Sequence, residues 1–375
     1  MKSYNHLWEQ FVSEENIRLA IINSSKRKRK RKLVKDIYEN PDKWIPTIKQ
    51  YAENFKNCNH APVEIYDGIT RKKRKIIVPQ YKEQIIHHMI INVLEPIFRH
   101  GMYEHSYGSI PGRGSHKAKK VVEKWIKHDT KNVKYCLKMD IRKFFDSVPH
   151  DILKNKLALI IHDEKFLAIL NELIDVTDKG IPLGFYTSQW FANWYLQELD
   201  HYIKEDLQAV YYMRYMDDMI IFGSNKRILH KIRNAISVYL NRKLGVELKD
   251  NWQVFRFDYV KMKNNEEIHY GRVLDYMGFK FYRNKTTLRK SIMLKATRKA
   301  KQMSKRWKTT IHSIRQMLSY MGWITCTNTY NMYKKWIKPY VNLRSCKKRI
   351  SNYDKRKNKE VQHHECKLCQ IPVFC

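Results

Sequence analysis

The segment Tyr215-Met216-Asp217-Asp218 joins two apolar runs, Val210–Arg214 before it and Met219–Gly223 after it. Two apolar runs that meet at a short polar step predict a β-hairpin with adjacent carboxylates at its turn. These carboxylates repel each other, and the strands beside them are apolar enough to bury them, so a positive group must offset the cost. A pair of divalent metal ions, which prefer carboxylate oxygens, is the group that we expect.

A third carboxylate, Asp140, lies near the end of another apolar stretch, Tyr135–Ile141, which predicts a strand. Three carboxylates at two strand ends are the ligand set of two-metal phosphoryl transfer, in which one ion activates a 3′-hydroxyl and the other stabilises the leaving pyrophosphate. The chain order of this strand, a glycine-led helix and the aspartate hairpin predicts the palm of a template-directed nucleic-acid polymerase. We expect two Mg²⁺ ions there, with Mn²⁺ as an alternative. Three surface aspartates that cap hairpins are the alternative interpretation.

Basic residues dominate the composition: the 375 residues include 73 Lys and Arg against 37 Asp and Glu, a formal charge of +36. A surplus of this size destabilises a compact protein by self-repulsion, so an extended nucleic acid is the expected partner, ahead of an anionic membrane surface. No apolar run approaches the ~20 residues of a spanning helix, and the N-terminus lacks a signal-peptide pattern. Seven scattered cysteines fit a reducing compartment. We therefore expect a cytoplasmic protein without membrane association.

Four features, in this order, resemble the reverse transcriptases: Asp140, the loop at Gly184, the Tyr-x-Asp-Asp segment Tyr215–Asp218, and Tyr276–Phe279. Viral RNA-copying polymerases more often carry Gly-Asp-Asp at the hairpin. The resemblance covers about residues 60–345 and implies an RNA-directed DNA polymerase, which is a nucleotidyltransferase. It also implies an α+β right-hand polymerase fold with fingers, a palm containing an antiparallel sheet, and a helical thumb.

Under this resemblance the chain divides into six parts. They are a basic N-terminal helical segment (1–60), fingers (61–133), a palm that includes elements of the fingers (134–272), a primer-grip region (273–290), a helical thumb (291–345) and a polar tail containing Cys and His (346–375). The tail holds one Cys-x-x-Cys, at Cys366 and Cys369, without a second pair at zinc-ligand spacing. We therefore do not expect a zinc site in the tail.

The segment Leu183–Gln189 narrows the resemblance to one subgroup of the reverse transcriptases. Retroviral and group II intron enzymes usually read Gln-Gly-x-x-x-Ser-Pro, whereas this chain has Leu183 for the Gln and Gln189 for the Pro. This pairing resembles the reverse transcriptases of diversity-generating retroelements, as do Phe191-Ala192-Asn193 and Leu288–Ser291. A leucine in place of an amide removes a polar check on the nascent base pair, which loosens discrimination.

That subtype implies an activity and partners beyond polymerisation. The enzyme would copy a template RNA with adenine-directed errors, and its cDNA would overwrite part of a protein-coding gene, a process called mutagenic retrohoming. The implied partners are the template RNA with flanking structured RNA, the RNA/cDNA duplex, dNTPs and a small basic accessory protein that forms a ring. Such systems are encoded by bacteria, phages or other mobile elements. The alternatives are a defence-associated or group II intron-like bacterial reverse transcriptase and, more remotely, a catalytically idle RNA-binding scaffold.

By the same resemblance, the three aspartates hold the two Mg²⁺ ions and the carbonyl oxygen of Ile141 assists them. Phe145 occupies the steric-gate position, where a bulky ring collides with a ribose 2′-hydroxyl and favours deoxynucleotides. Phe145 as an ordinary core residue beside Phe144 is the alternative, although both rings cannot easily face the same side of an extended strand.

Further residues are expected around the incoming nucleotide. Arg74, with Lys72 near it, lies where a fingers hairpin would reach the triphosphate, because the planar fork of arginine binds phosphate oxygens in pairs. Arg113 replaces the arginine that related enzymes carry just before a proline. Lys249 is a candidate for the lysine that neutralises or protonates pyrophosphate, and a solvent-facing strand lysine is the alternative. The expected nucleotide-binding set is Arg74, Lys72, Arg113, Phe145, Leu183, Gly184, Ser188, Gln189 and Lys249.

Contacts with nucleic acid are expected at three places. A run of seven basic residues predicts contact with phosphates, and a solvated charge run is the alternative. The segment Tyr276–Phe279 resembles a primer grip, in which a glycine turn lets the backbone approach the 3′ end of the primer. Arg289 and Lys290 open the thumb, whose helices would grip the duplex. The basic run is Lys26, Arg27, Lys28, Arg29, Lys30, Arg31 and Lys32, and the primer grip is Tyr276, Met277, Gly278 and Phe279.

Overall fold

The computed structural model describes residues 3–56, 61–66, 73–263, 266–306 and 309–368, with the backbone alone for 267, 269 and 357–368. The chain divides into two compact units, Met1–Phe257 and Asp258–Cys375. Lys72, expected at the nucleotide, and Cys369 and Cys375 of the tail lie outside the described residues.

Helices open the first unit and pack around one long apolar helix. They are α1 (Leu7–Phe11), α2 (Glu14–Ser25), α3 (Lys32–Glu39), α4 (Pro41–Glu53) and the long helix α5 (Tyr81–Arg99). Apolar residues recur at helical spacing in α5, and Ile85, Ile86, Met89 and Ile90 are fully buried there. The basic run predicted to bind phosphates lies between α2 and α3 and provides the first residue of α3.

The rest of the first unit alternates helices with strands. A two-stranded antiparallel sheet of β1 (Val63–Tyr66) and β2 (Lys73–Ile76) precedes α5. The helices after α5 are α6 (Ser115–His128), α7 (Phe144–Ser147), α8 (His150–Ala158), α9 (Glu164–Ile174), α10 (Tyr186–Tyr195), α11 (Gln197–His201), a π-helical turn (Tyr202–Asp206) and α12 (Lys226–Leu244).

A five-stranded sheet lies in the centre of this unit, in the order β3-β5-β6-β4-β7. Its strands are β3 (Ser106–Tyr107), β4 (Tyr135–Asp140), β5 (Tyr211–Tyr215), β6 (Asp218–Gly223) and β7 (Gln253–Arg256). All neighbours are antiparallel except β3 and β5. Successive residues Met219–Phe222 are buried, so both faces of β6 are covered, which explains its continuous apolar sequence.

In its described residues, the second unit combines two small sheets with four helices. Its elements are β8 (Tyr259–Lys263), β9 (Glu266–Tyr270), β10 (Leu274–Tyr276), β11 (Phe279–Phe281), β12 (Thr286–Leu288), α13 (Lys290–Ser304), α14 (Ile311–Thr325), α15 (Tyr330–Trp336) and α16 (Leu343–Leu368). Strands β8 and β9 form a hairpin, and β10, β11 and β12 form an antiparallel sheet. Trp323 of α14 packs on Phe279 with ring centroids 5.0 Å apart, which joins the helices to this sheet.

Candidate active site

Strands β4 and β6 place Asp140 and Asp218 directly opposite each other, where β4 ends and β6 begins. Residues opposite each other on antiparallel strands have Cβ atoms about 4.5–5.5 Å apart. Met216 and Asp217 form the two-residue turn between β5 and β6, and Asp217 lies close enough to Asp140 and Asp218 for their charges to affect its carboxyl. The structure therefore brings together the three carboxylates that the sequence predicts.

The carboxyl of Asp217 lies in a buried, negatively charged environment. Burial raises the pKa of Asp217 to about 7, and the charges of Asp140 and Asp218 add to the rise. A bound dication would favour the ionised carboxyl and lower this pKa. Oxygen donors of this kind are the ligands that Mg²⁺ and Mn²⁺ prefer, so the chemistry of the donor set fits a divalent ion.

Lys249 contributes the nearest positive charge. Its ammonium donates a hydrogen bond to Oδ2 of Asp140, and its backbone N–H donates to the Asp140 carbonyl oxygen over 2.8 Å. The hydrogen bond to Asp140 raises the pKa of Lys249. Across the described ranges, no three His, Cys, Asp or Glu side chains are arranged to hold a metal ion. Metal binding would therefore require the three carboxylates to rearrange, and the ion would have to replace Lys249 as the partner of Asp140.

A buried ion pair supports the turn from inside the protein, and the sequence analysis missed it. Arg214 and Asp200 are both fully buried, and Arg214 Nε donates to Asp200 Oδ1 over 2.7 Å. Arg214 Nη1 also donates to the carbonyl oxygen of Met216 over 3.1 Å and to Asn193 Oδ1 over 3.2 Å. The Tyr212 hydroxyl donates to Asp200 Oδ1 over 2.6 Å. The guanidinium thus links helices α10 and α11 to the turn that carries Asp217.

The turn is also held by strand β3 and by the glycine that follows it. Met216 has a positive φ of 56°, and its N–H donates to the carbonyl oxygen of Tyr107 over 2.9 Å. A Cβ at Gly108 would approach Met216 Cγ to 2.9 Å, so glycine allows β3 to lie this close. A charged residue in an apolar strand predicts a buried partner. Arg214 in β5 was the signal that could have revealed this support.

The Gly184 loop contacts the segment that follows β2. The N–H of Ile77 donates to the carbonyl oxygen of Leu183 over 2.7 Å. A Cβ at Gly184, whose φ is 113°, would overlap the carbonyl oxygen of Ile77. Leu183 is partly exposed, Gln189 is exposed and Ser188 is 2% exposed, so of the three the Ser188 side chain lies inside the protein.

The first unit has a cavity of about 440 Å³ beside the Gly184 loop, and the second unit has one of about 580 Å³. The cavity beside the Gly184 loop is lined by Lys28 and Arg31 of the basic run together with Gly184 and Gln189. Lys28 Nζ donates to Gln84 Oε1 over 2.5 Å, which fixes the run against α5. The structure therefore brings part of the basic run to the predicted nucleotide-binding loop.

Arg74 and Arg113, both in the segment predicted to form the fingers, have different surroundings. Arg74 is exposed on β2, opposite Ile65 of β1. Arg113 is half-buried, and its Nη1 donates to the carbonyl oxygen of Tyr103 over 2.7 Å. Arg113 thus supports the loop that carries Gly108, whereas Arg74 extends from the hairpin. Binding of a triphosphate by either residue stays a prediction.

The expectation that Phe144 and Phe145 belong to an extended strand is wrong. They begin the short helix α7, because the chain turns directly after β4, where Lys143 has a positive φ of 42°. Neighbouring residues of a helix point about 100° apart, and Phe144 is buried while Phe145 is half-buried. The two rings therefore separate as the gate assignment requires, by a helix rather than by a strand.

The predicted primer grip forms the β10–β11 hairpin of the second unit. Tyr276 and Phe279 pair across it and are fully buried. Met277 and Gly278 both have positive φ values, 50° and 85°, as in the tight turns that match strand twist. Arg289 donates its N–H to the Gly278 carbonyl oxygen over 2.9 Å and its Nε to Asp275 Oδ1 over 2.7 Å. Arg289 thus stabilises this turn.

A mostly antiparallel sheet that ends in three clustered carboxylates defines the palm of a template-directed polymerase. The family model described as "Reverse transcriptase (RNA-dependent DNA polymerase)" matches residues 62–280, more than half of the chain. The chain belongs to the reverse transcriptase family, and the expected α+β right-hand polymerase fold is confirmed. It contains the domain of an RNA-directed DNA polymerase.

Three relatives illustrate its place in the family. The chain is 24% identical over 240 residues to the Retron Ec73 reverse transcriptase of Escherichia coli, covering 59% of this chain and 71% of that protein. It is 26% identical over 171 residues to the Group II intron-encoded protein LtrA of Lactococcus lactis subsp. cremoris, covering 42% and 28%. It is 27% identical over 173 residues to an uncharacterized 91 kDa protein in the cob intron of Schizosaccharomyces pombe, covering 44% and 21%. The chain therefore matches less than a third of either intron protein.

Similar solved structures include an apo telomerase from Candida tropicalis, with 13% identity, a TM-score of 0.48, and coverage of 75% of this chain and 56% of that one. A telomerase from Candida albicans in complex with a fragment of telomeric RNA has 11% identity, a TM-score of 0.47, and coverage of 79% and 58%. Within the described residues, every helix is too short or too polar to cross a membrane.

We expect Asp217→Asn to stabilise the metal-free protein more at pH 8 than at pH 4.5. The folded-state pKa of Asp217, about 7, lies above its ordinary value of 3.8, so its carboxyl favours folding below pH 4 and loses that contribution as the pH rises towards 7. The gain from Asn therefore grows by up to about 4 kcal/mol over this window, at about 1.36 kcal/mol per pKa unit. Denaturant unfolding in EDTA measures it. A gain that is equal at both pH values, or shared by Asp178→Asn at an exposed aspartate, contradicts this prediction.

We expect Arg214→Gln to lower the free energy of unfolding by about 3–5 kcal/mol, because it leaves the buried Asp200 carboxylate without its ionic partner. The matched control is Lys154→Gln, which removes a partly exposed pair with Asp175 and should cost less than about 1 kcal/mol. Denaturant unfolding of both variants at pH 7 measures the difference. Equal losses would show that the buried pair does not support the turn as described.

Proposed function

We propose that the chain is an RNA-directed DNA polymerase that copies a template RNA into cDNA. One observation carries this proposal: Asp140, Asp217 and Asp218 meet at one end of the central sheet inside a reverse transcriptase domain. A catalytically idle RNA-binding scaffold would not need a carboxyl whose pKa is raised by burial and by two carboxylate neighbours.

The chemistry follows from the groups around this point. The three aspartates would hold two Mg²⁺ ions, with the carbonyl oxygen of Ile141 as a further ligand. When bound, such ions activate the 3′-hydroxyl of a primer and stabilise the leaving pyrophosphate. Lys249, whose pKa is raised by its hydrogen bond to Asp140, would supply positive charge to the leaving pyrophosphate.

The nucleotide site is proposed from the loops near these aspartates. Arg74 on its exposed hairpin would bind the triphosphate, and Phe145 would act as the steric gate. Leu183, Gly184 and Gln189 would surround the base pair, because their loop is partly exposed and held against Ile77. Ser188 and Arg113 would position this region from inside rather than contact the nucleotide.

We expect Asp217→Ala to reduce cDNA synthesis on a primed RNA template with Mg²⁺ and dNTPs by at least about a hundredfold, because the site loses a metal ligand. Asp178→Ala, at an exposed aspartate outside the site, serves as the matched control and should keep wild-type activity. Primer extension followed on a gel measures both. Undiminished synthesis by Asp217→Ala contradicts the proposed function. If wild type is also silent with accessory protein and native RNA, the scaffold alternative is favoured.

We expect Phe145→Ala to incorporate ribonucleotides at least about tenfold better relative to deoxynucleotides, because the ring no longer collides with the 2′-hydroxyl. Incorporation of each nucleotide type opposite the same template base gives the ratio. The half-buried Phe145 leaves the core little changed when truncated, so deoxynucleotide incorporation should persist. An unchanged ratio in an active variant assigns Phe145 to the core instead.

We propose further that the enzyme belongs to a diversity-generating retroelement and makes adenine-directed errors for mutagenic retrohoming. The supporting features are Leu183 and Gln189, where related families carry Gln and Pro. Leu183 is partly exposed on the loop held by Ile77, where its apolar side chain offers shape without a hydrogen bond. The proposed partners are structured RNA and a small basic accessory ring, and the proposed location is the cytoplasm of a bacterial host.

We expect Leu183→Gln to reduce errors opposite adenine by about tenfold, because an amide restores a polar check on the nascent pair. The matched control is Leu159→Gln, at a leucine that is 62% exposed, and it should leave the error spectrum unchanged. Sequencing of the cDNA measures both. If wild-type cDNA is faithful at adenine, the subtype is wrong while the polymerase stands.

A defence-associated or group II intron-like reverse transcriptase is the second candidate. The similarity to the Retron Ec73 reverse transcriptase and to LtrA favours it. Faithful cDNA in the sequencing experiment would favour this candidate over the retroelement.

A further inference from the structure

The second unit contains many more basic than acidic residues. Asp258–Cys375 contains 28 Lys and Arg against 7 Asp and Glu, and no acidic residue occurs between Asp275 and Asp354. The elements β11, β12, α13, α14 and α15 all lie in that acid-free interval. Cations there must be neutralised from outside the segment, and a polyanion is the efficient source of such charge.

A cavity of about 580 Å³ lies among β11, β12, α13 and α15, within this unit. Ligand pockets in proteins commonly measure roughly 300–1,000 Å³, so the space is large enough for one nucleotide. Its apolar wall includes Leu294, Met332 and Trp336, and its basic lining includes Lys290, Arg298 and Lys301.

The apolar wall is open to solvent. Leu294, Met332 and Trp336 are 42%, 43% and 39% exposed. Large apolar side chains that line an open cavity offer a ligand apolar surface to bury. The wall therefore favours a ligand with a flat or apolar part rather than a bare phosphate.

The basic lining favours a negative ligand. In the described part of the chain, Lys290, Arg298 and Lys301 make no ion pair with a carboxylate. Lys301 Nζ lies 5.8 Å from the centroid of the Trp336 ring, so a cation and an aromatic face adjoin. This combination suits an aromatic ring that carries a phosphate, because the ring stacks while the cations bind the phosphate oxygens.

We propose that this cavity binds an unpaired nucleotide of a single-stranded nucleic acid, with its base against Trp336 and Met332 and its phosphates on Arg298 and Lys290. A protein partner would have to supply acidic groups against every rim cation, and a paired duplex keeps its bases stacked inside. RNA and single-stranded DNA share the recognised chemistry. The site is separate from the β10–β11 turn and needs no polymerase chemistry.

The test uses the full chain in EDTA without dNTPs, so failure of the polymerase cannot affect it. A fluorescein-labelled oligouridylate containing 4-thiouridine is titrated by anisotropy, irradiated and mapped by mass spectrometry. We expect a crosslink in α15, and about tenfold weaker binding by Trp336→Ala, the effect of losing one stacked base. Oligothymidylate containing 4-thiothymidine shows whether DNA enters as well.

Matched variants distinguish binding in the cavity from binding by basic residues elsewhere on the surface. Tyr330→Ala removes an exposed aromatic ring of the same helix outside the cavity and should bind like wild type. Arg298→Gln should reduce the slope of log Kd against log salt by about 0.7 relative to Lys305→Gln, which lies outside the cavity. If Trp336→Ala lowers the melting temperature, Met332→Glu, at an exposed position, replaces it. Equal effects of cavity and control variants, or crosslinks outside the cavity only, would overturn the proposal.

Discussion

The crowding of negative charge at the β5–β6 turn is the constraint on which the site depends. Register decides it: the pairing of β4 with β6 puts Asp140 opposite Asp218, and a shift by one residue would move each side chain to the other face of the sheet. Both strands are apolar and buried, so the core enforces this register and the carboxylates cannot separate. The hydrophobic core thus fixes a cluster of charges that is unfavourable without cations.

Two basic residues act on this turn at different places. Inside the protein, Arg214 pairs with Asp200 and donates a hydrogen bond to the carbonyl oxygen of Met216. Lys249 pairs with Asp140 through a side chain that is 39% exposed. The buried pair fixes the geometry of the turn, whereas the partly exposed pair is accessible to solvent. A site in which a metal ion would replace a lysine needs both properties.

Local patterns predicted much of this molecule, and long-range contacts account for what they missed. The apolar runs around Asp217 predicted the hairpin, and the ordered motifs predicted the family. Phe145 was expected in an extended strand, whereas the chain turns at Lys143 directly after β4 and begins the helix α7. Arg214 in an apolar strand signals a buried partner, but the identity of that partner, Asp200, 14 positions earlier in the chain, depends on the tertiary fold. The contact of Lys28 with α5 needs the tertiary fold in the same way.

Calorimetric titration of the full chain with Mg²⁺, in the absence of nucleotide, tests most directly whether the three carboxylates form a divalent-metal site. Wild type and Asp178→Asn should bind Mg²⁺ with the same affinity and stoichiometry, while Asp217→Asn and Asp140→Asn should bind it at least about tenfold more weakly. Circular dichroism of each variant checks that the fold is kept. Equal binding by all four proteins, or no binding by wild type, would contradict the account.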